Sequence, residues 1–275
     1  MTHRNGVRIY NGYAEPFIAQ KQFVITDQNV HEHIARIGQS IRKYVNDNNR
    51  DGVVVGLSGG VDSAVVARLV QMSGVPLLAL LMPNGEAGKQ LTSFKNALDL
   101  VEKFAIPYRI IDIEPACAAL MLPDNDPIVL AATEQNRQLA RMNIAPRIRK
   151  DKLYEVAQLE RKLVIGTSNM VERLLGHSTK GGDSIYDFGL LDWMVKREVY
   201  VSSRALEILD AINNQPPSAD LYEGQTDEAE FGFSYDQVDD FILRGTSGDQ
   251  KIDELIDQRY LSSQHKREPA PSYRG

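Results

Sequence analysis

The chain has 275 residues, 43% of them hydrophobic and 25% charged, a globular balance with ample material for a core. A net charge of −6 argues against any general attraction to nucleic acid or acidic membranes, and the single cysteine excludes an internal disulfide or a cysteine-based zinc cluster. No apolar stretch is long enough to span a bilayer and the opening MTHRNGVRIYNGY lacks an apolar signal core, so a soluble cytoplasmic protein is expected.

In chain order, residues 1–25 are irregular and aromatic-rich and read as an N-terminal arm lying on another surface; residues 26–275 read as a single domain. Thr26 and Asp27 offer a helix cap, after which Val30, Ile34, Ile37, Ile41 and Tyr44 recur at helical spacing up to the turn cluster NDNNRDG. His31 and His33 lie near the start of that helix and are expected on its solvated face. VVVGL then reads as a buried strand and residues 61–73 as a helix. LLALLM is a second strand; Leu91, Phe94, Leu98 and Val101 mark a helix; YRIIDI is a third strand; KLVIGT (162–167) is a fourth. Cys117, in IEPACAALM, has no adjacent base and is expected to pack in the core. Uninterrupted apolar strands separated by helices predict an α/β fold: a doubly wound parallel sheet with helices on both faces, binding its ligand beyond the carboxyl ends of the strands.

Polar outliers sit at such an end. In VVVGLSGGVDSAVVARLV, Gly59 and Gly60 let the backbone turn and approach a ligand closely, and the amides that follow are the free donors of a helix N-terminus, which favour an anion. Ser58 and Ser63 add hydroxyls. Asp62 is out of place beside a phosphate unless a cation bridges the two, which implies Mg²⁺. There is no G-x-x-x-x-G-K-[ST] loop.

The stretch resembles the S-G-G-x-D-S loop of the ATP pyrophosphatases, or PP-loop enzymes, which cleave ATP between its α and β phosphates. VIGTSNMVERLLGHSTKGGDSIYD after the fourth strand resembles the NAD synthetase signature within that superfamily. NIAPRIRKDKLYEVA before it, and PPSADLYEGQTDEAEFGFSYDQVD and HKREPAPS after it, resemble the same family in the same order, from about Ile25 onward. The resemblance implies an adenine nucleotide alpha hydrolase-like fold and an ammonia-dependent NAD⁺ synthase. Such a ligase adenylates the carboxylate of deamido-NAD with ATP and Mg²⁺, then forms a C–N bond with ammonia. It further implies that Ser58, Gly59, Gly60, Asp62, Ser63, Thr167, Lys196 and Ser218 bind ATP and that Asp62 and Glu172 hold the metal. Asp62, Glu172 and Lys196 would carry catalysis, while Arg147, Lys180, Asp187, His265 and Lys266 would bind deamido-NAD. A homodimer formed partly by helices around residues 128–145 is implied as well. No appended glutaminase is read in the sequence, so ammonia would be free or delivered by another protein.

Three departures stand out. GDSIYD replaces a glycine-rich G-D-G-G-A-D, so that Ser184, Ile185 and Tyr186 add bulk where the acceptor binds; Leu81 stands where many relatives have an adenine-side arginine; Ser218 replaces threonine. The first keeps open a paralogous adenylating ligase acting on another carboxylate. A non-catalytic nucleotide-binding module is a third reading, opposed by the presence of Asp62, Glu172 and Lys196.

Overall fold

The computed structural model describes residues 3–4, 7–8, 12–218 and 227–272. Five strands form one parallel sheet: β1 (Gly52–Gly56), β2 (Leu77–Leu81), β3 (Tyr108–Ile110), β4 (Lys162–Gly166) and β5 (Phe188–Gly189), in the order β3-β2-β1-β4-β5. The chain builds outward from β1 to β3 on one side and returns to β4 on the other. The order therefore reverses at β1, and the crevice between the carboxyl ends of β1 and β4 is the place such sheets offer a ligand.

The period-two alternation of a strand divides the core. Val53 and Val55 face one side with Ile34 and Ile41 of α1 (Val30–Asp47), Leu69 of α2 (Val61–Ser73) and Leu100 of α3 (Thr92–Lys103). Val54 faces the other with Leu78, Leu80, Val164 and Ile148 of α4 (Ile144–Leu159). Buried Cys117 belongs to this second layer. Leu81 is wholly buried in β2, so an arginine at this position would be replaced here by a core contact.

A further apolar cluster lies beyond β4. It unites α5 (Met170–Leu175), α7 (Asp227–Phe231), α8 (Tyr235–Arg244) and α9 (Gln250–Ser262) with Val195, the residue before α6 (Lys196–Ala205), whose own Val199 packs in the first layer. Phe17 and Ile18, from the short helix Glu15–Ile18, are buried in it, and Asp257 of α9 accepts the N–H groups of Tyr13 and Ala14 at 2.9 and 2.8 Å.

Some elements differ from the sequence pattern. Helix α1 begins one turn later than Thr26, at Asn29, whose side chain accepts the Thr26 N–H at 2.8 Å. Only three residues of YRIIDI pair as β3, and all three are exposed, because β3 is the edge strand. β5 has two residues, too few for any alternation to signal it. Among the described residues no helix is long and apolar enough to cross a membrane.

Candidate active site

The β1–α2 connection is wound tightly around its hydroxyls. Ser63 Oγ donates to the Gly60 carbonyl at 3.0 Å and accepts the Ser58 N–H at 3.2 Å, while Ser58 Oγ lies 3.0 Å from Ser63 Oγ and accepts the Gly60 N–H at 3.2 Å. The loop is thus held in shape by its own side chains, with its amides at the start of a thirteen-residue helix. Gly59 is essential to that shape: its φ is +89°, and a Cβ would stand 1.8 Å from the Ser93 carbonyl oxygen. Gly59→Ala is expected to cost more than about 2 kcal/mol, read as a lower denaturant midpoint. An unchanged midpoint would contradict this geometry.

Across the crevice, Asn169 caps α5 and joins the two carboxylates. It is fully buried, and its Nδ2 donates to Asp62 Oδ1 at 3.1 Å and to Glu172 Oε1 at 2.9 Å. A reciprocal capping box fixes Glu172: Glu172 N–H donates to Asn169 Oδ1 at 3.0 Å and Asn169 N–H to Glu172 Oε2 at 3.2 Å. Lys196, on the first turn of α6, donates from Nζ to Asp62 Oδ2 at 2.6 Å, and its side chain is 3% exposed. Its ammonium also lies 4.8 Å from the centre of the Tyr235 ring. Tyr235 donates in turn to Asp227 Oδ2 at 2.7 Å, and His177 Nε2 lies 3.3 Å from the other oxygen of Asp227.

Crowded carboxylates away from water resist ionising together. Loss of solvent and the adjacent Asp62 push Glu172 well above the usual carboxylate range, against the pull of Lys196. Burial alone would lower Lys196, but Asp62 and Glu172 hold it charged, above its ordinary value. The cluster therefore presents two oxygen-bearing acids and one obligate cation at the β1–α2 loop. Oxygen donors of this kind suit Mg²⁺, and the repulsion felt by Glu172 is the property a divalent cation would relieve. Among the described residues no group of three or more His, Cys, Asp or Glu is placed to hold a metal by itself.

The residues expected to bind the acceptor lie mostly together. Arg147 Nε donates to the Lys180 carbonyl at 3.3 Å, Lys180 Nζ is 3.4 Å from His265 Nδ1, and Lys266 Nζ donates to the carbonyls of Gly176 and Ser178 at 2.7 Å each. Asp187 is placed differently: its Oδ2 accepts the Val164 N–H at 2.8 Å and its Oδ1 the Tyr154 hydroxyl at 3.1 Å, tying it to β4. Thr167 is half-buried directly after β4, and Ser218 borders residues 219–226, which lie outside the described chain along with most of LYEGQTDE. His31 is exposed, and His33 packs against the Phe23 ring with centroids 5.0 Å apart.

Asn169, Asp227 and Tyr235 complete the cluster without having been singled out in the sequence, and His177, a histidine of the signature stretch to which no role is assigned, lies beside them. The N-x-x-E spacing of Asn169 and Glu172 is a capping signature that marks the first of them. The others are recruited through tertiary contact alone.

The NAD synthase family matches residues 33–270. The chain is 38% identical over 232 residues to the NH₃-dependent NAD⁺ synthetase of Syntrophomonas wolfei, covering 84% of this chain and 90% of that protein. It is 34% identical to the enzyme of the same name from Campylobacter jejuni subsp. doylei, covering 86% and 92%. Among solved structures, an NMN synthetase from Francisella tularensis superposes with a TM-score of 0.81 at 32% identity, covering 91% of this chain and 99% of that one. The NH₃-dependent NAD synthetase of Campylobacter jejuni superposes with a TM-score of 0.70 at 26% identity, covering 91% and 100%.

Proposed function

Because this chain belongs to the NAD synthase family, we propose that its cluster of Asp62, Glu172 and Lys196 serves an ammonia-dependent ligase that converts deamido-NAD to NAD⁺. The observation that carries the reading is the meeting of these three side chains, Glu172 with Asp62 through Asn169 and Lys196 with Asp62 directly, at the mouth of the β1–α2 loop.

In this scheme the loop amides with Ser58 and Ser63 hold the ATP phosphates, and Lys196 stabilises the negative charge gathering on the departing pyrophosphate. Mg²⁺, held by Asp62 and Glu172, would offset the repulsion between two polyanionic substrates. Thr167, at the carboxyl end of β4, and Ser218 line the nucleotide. Arg147, Lys180, His265 and Lys266 receive the acidic acceptor, with Asp187 acting behind them by fixing the loop to β4. The acceptor carboxylate displaces pyrophosphate from the α-phosphorus. Ammonia then attacks the acyl carbon, AMP leaves, and the nitrogen loses a proton to give the amide. Holding both substrates in line supplies much of the rate. A homodimer is part of the same proposal: Ile128, Leu130 and Leu139, on the helices Pro127–Ala131 and Glu134–Met142, are 71%, 65% and 48% exposed, the apolar surface a second copy would cover.

A second reading has its own support. Tyr186 stands in the stretch that relatives make small; its ring lies where a Cβ on Gly166 would come within 2.4 Å, and its hydroxyl is fixed on Asp192 Oδ1 at 2.9 Å. A rigid ring beside the carboxyl end of β4 narrows the acceptor side, and the likeness to an NMN synthetase agrees with a mononucleotide acid as acceptor.

One assay separates the readings: protein, ATP, Mg²⁺ and ammonium with either nicotinate mononucleotide or deamido-NAD. Higher kcat/KM with the dinucleotide supports the first, and higher kcat/KM with the mononucleotide supports the second. Turnover of neither would reject both.

A further inference from the structure

The first turn of α6 carries Lys196, and it is held by charges buried outside the site. Asp239 of α8, fully buried, accepts the Lys196 N–H at 3.0 Å and the Arg197 N–H at 2.7 Å. Glu198 accepts the Val195 N–H through Oε2 at 2.8 Å and the Ile25 N–H through Oε1, also at 2.8 Å. These bonds satisfy the donors that a helix start leaves free.

Glu198 is itself buried, its side chain 1% exposed, and a carboxylate so placed needs a counter-ion. Lys21 is that ion. Its side chain is wholly excluded from solvent, and its ammonium donates to Glu198 Oε2 at 2.7 Å and to the Trp193 carbonyl at 2.6 Å. Lys21 and Ile25 both precede the stretch, residues 33–270, that matches the family.

We infer that Lys21 is a positioning residue for adenylation: through Glu198 and the Trp193 carbonyl, the N-terminal segment fixes the start of α6 and so the place of the Lys196 ammonium opposite Asp62. The inference rests on the role proposed above for Lys196. Without Lys21, Glu198 is a buried charge without its partner, and the segment Trp193–Lys196 loses the group that ties it down. A displacement of about 1 Å at Lys196 is enough to slow the reaction by up to ~100-fold.

The test compares Lys21→Met, Lys21→Gln and Lys21→Arg in the full chain, well below each variant's melting temperature. It follows pyrophosphate release and the emission of Trp193, the sole tryptophan. Lys21→Met is expected to lower kcat between ~10- and ~100-fold with the KM for ATP within about twofold, and to shift the Trp193 emission. Lys21→Arg, which keeps the charge, should stay within about threefold and leave the emission unchanged. Lys21→Gln keeps a hydrogen-bond donor without the charge, and it takes the place of Lys21→Met with the same expectations should that variant not fold. Wild-type kcat and emission in the uncharged variant, equal loss in the uncharged and Arg variants, or loss confined to KM would overturn the inference. If the wild type itself releases no pyrophosphate, the functional reading fails, and the emission decides by itself whether Lys21 sets this segment.

Discussion

Asp62→Asn should reduce pyrophosphate release by about a thousandfold, the equivalent of ~4 kcal/mol of transition-state stabilisation, while leaving the fold intact. Asp62 is bonded both to Lys196 and to the amide that carries Glu172, so losing its charge detaches the cation and halves the pair proposed for Mg²⁺. Stability should change little for a specific reason. Glu172 is held up in pKa partly by Asp62, and once that charge is gone Glu172 can ionise and balance Lys196 in its place. Melting within a few degrees of wild type, measured beside the lost pyrophosphate release, is the expected pair of results. Wild-type turnover would remove Asp62 from the chemistry, and an unfolded variant would make it a structural residue.

Lys196→Met should be as damaging to turnover, with the opposite signature in stability. It strands the Asp62 carboxylate beside Glu172 without the ammonium bonded to it, and breaking a buried pair from one side costs about 3–5 kcal/mol. A divalent cation would supply the missing positive charge. The melting temperature of Lys196→Met should therefore rise on adding Mg²⁺ by more than that of the wild type, even though pyrophosphate release remains about a thousandfold down. Equal responses to Mg²⁺ in the two proteins would argue against a metal between the carboxylates.

What could be read from the sequence follows from how local each signal is. The phosphate loop is legible because a buried strand, two glycines and a helix start are contiguous from Val53 to Ser73, and each follows from backbone sterics. Its partners are not contiguous. Lys196 meets Asp62 across 134 positions and Asn169 meets Asp62 across 107, so only resemblance to a family could pair Asp62 with Lys196, and Asn169 escaped even that. His177 and Asp227 lie 50 positions apart and become a pair only when the start of α7 meets the turn after α5. Lys21 is the extreme case: a lysine in an irregular stretch reads as solvated, and only the fold shows it wholly buried on Glu198. The strands show the same division. The central ones are legible as apolar runs, whereas β3 is exposed at the sheet edge and β5 is too short to carry a pattern.

The proposed reaction passes through an adenylated carboxylate, and isotope transfer tests that step directly. The acceptor acid labelled with oxygen-18 in its carboxylate is turned over with ATP and ammonium, and the products are weighed by mass spectrometry. Direct attack of the carboxylate on the α-phosphorus predicts one labelled oxygen in each AMP formed, with the other kept in the amide. Unlabelled AMP, or label in the pyrophosphate or released phosphate, would contradict it.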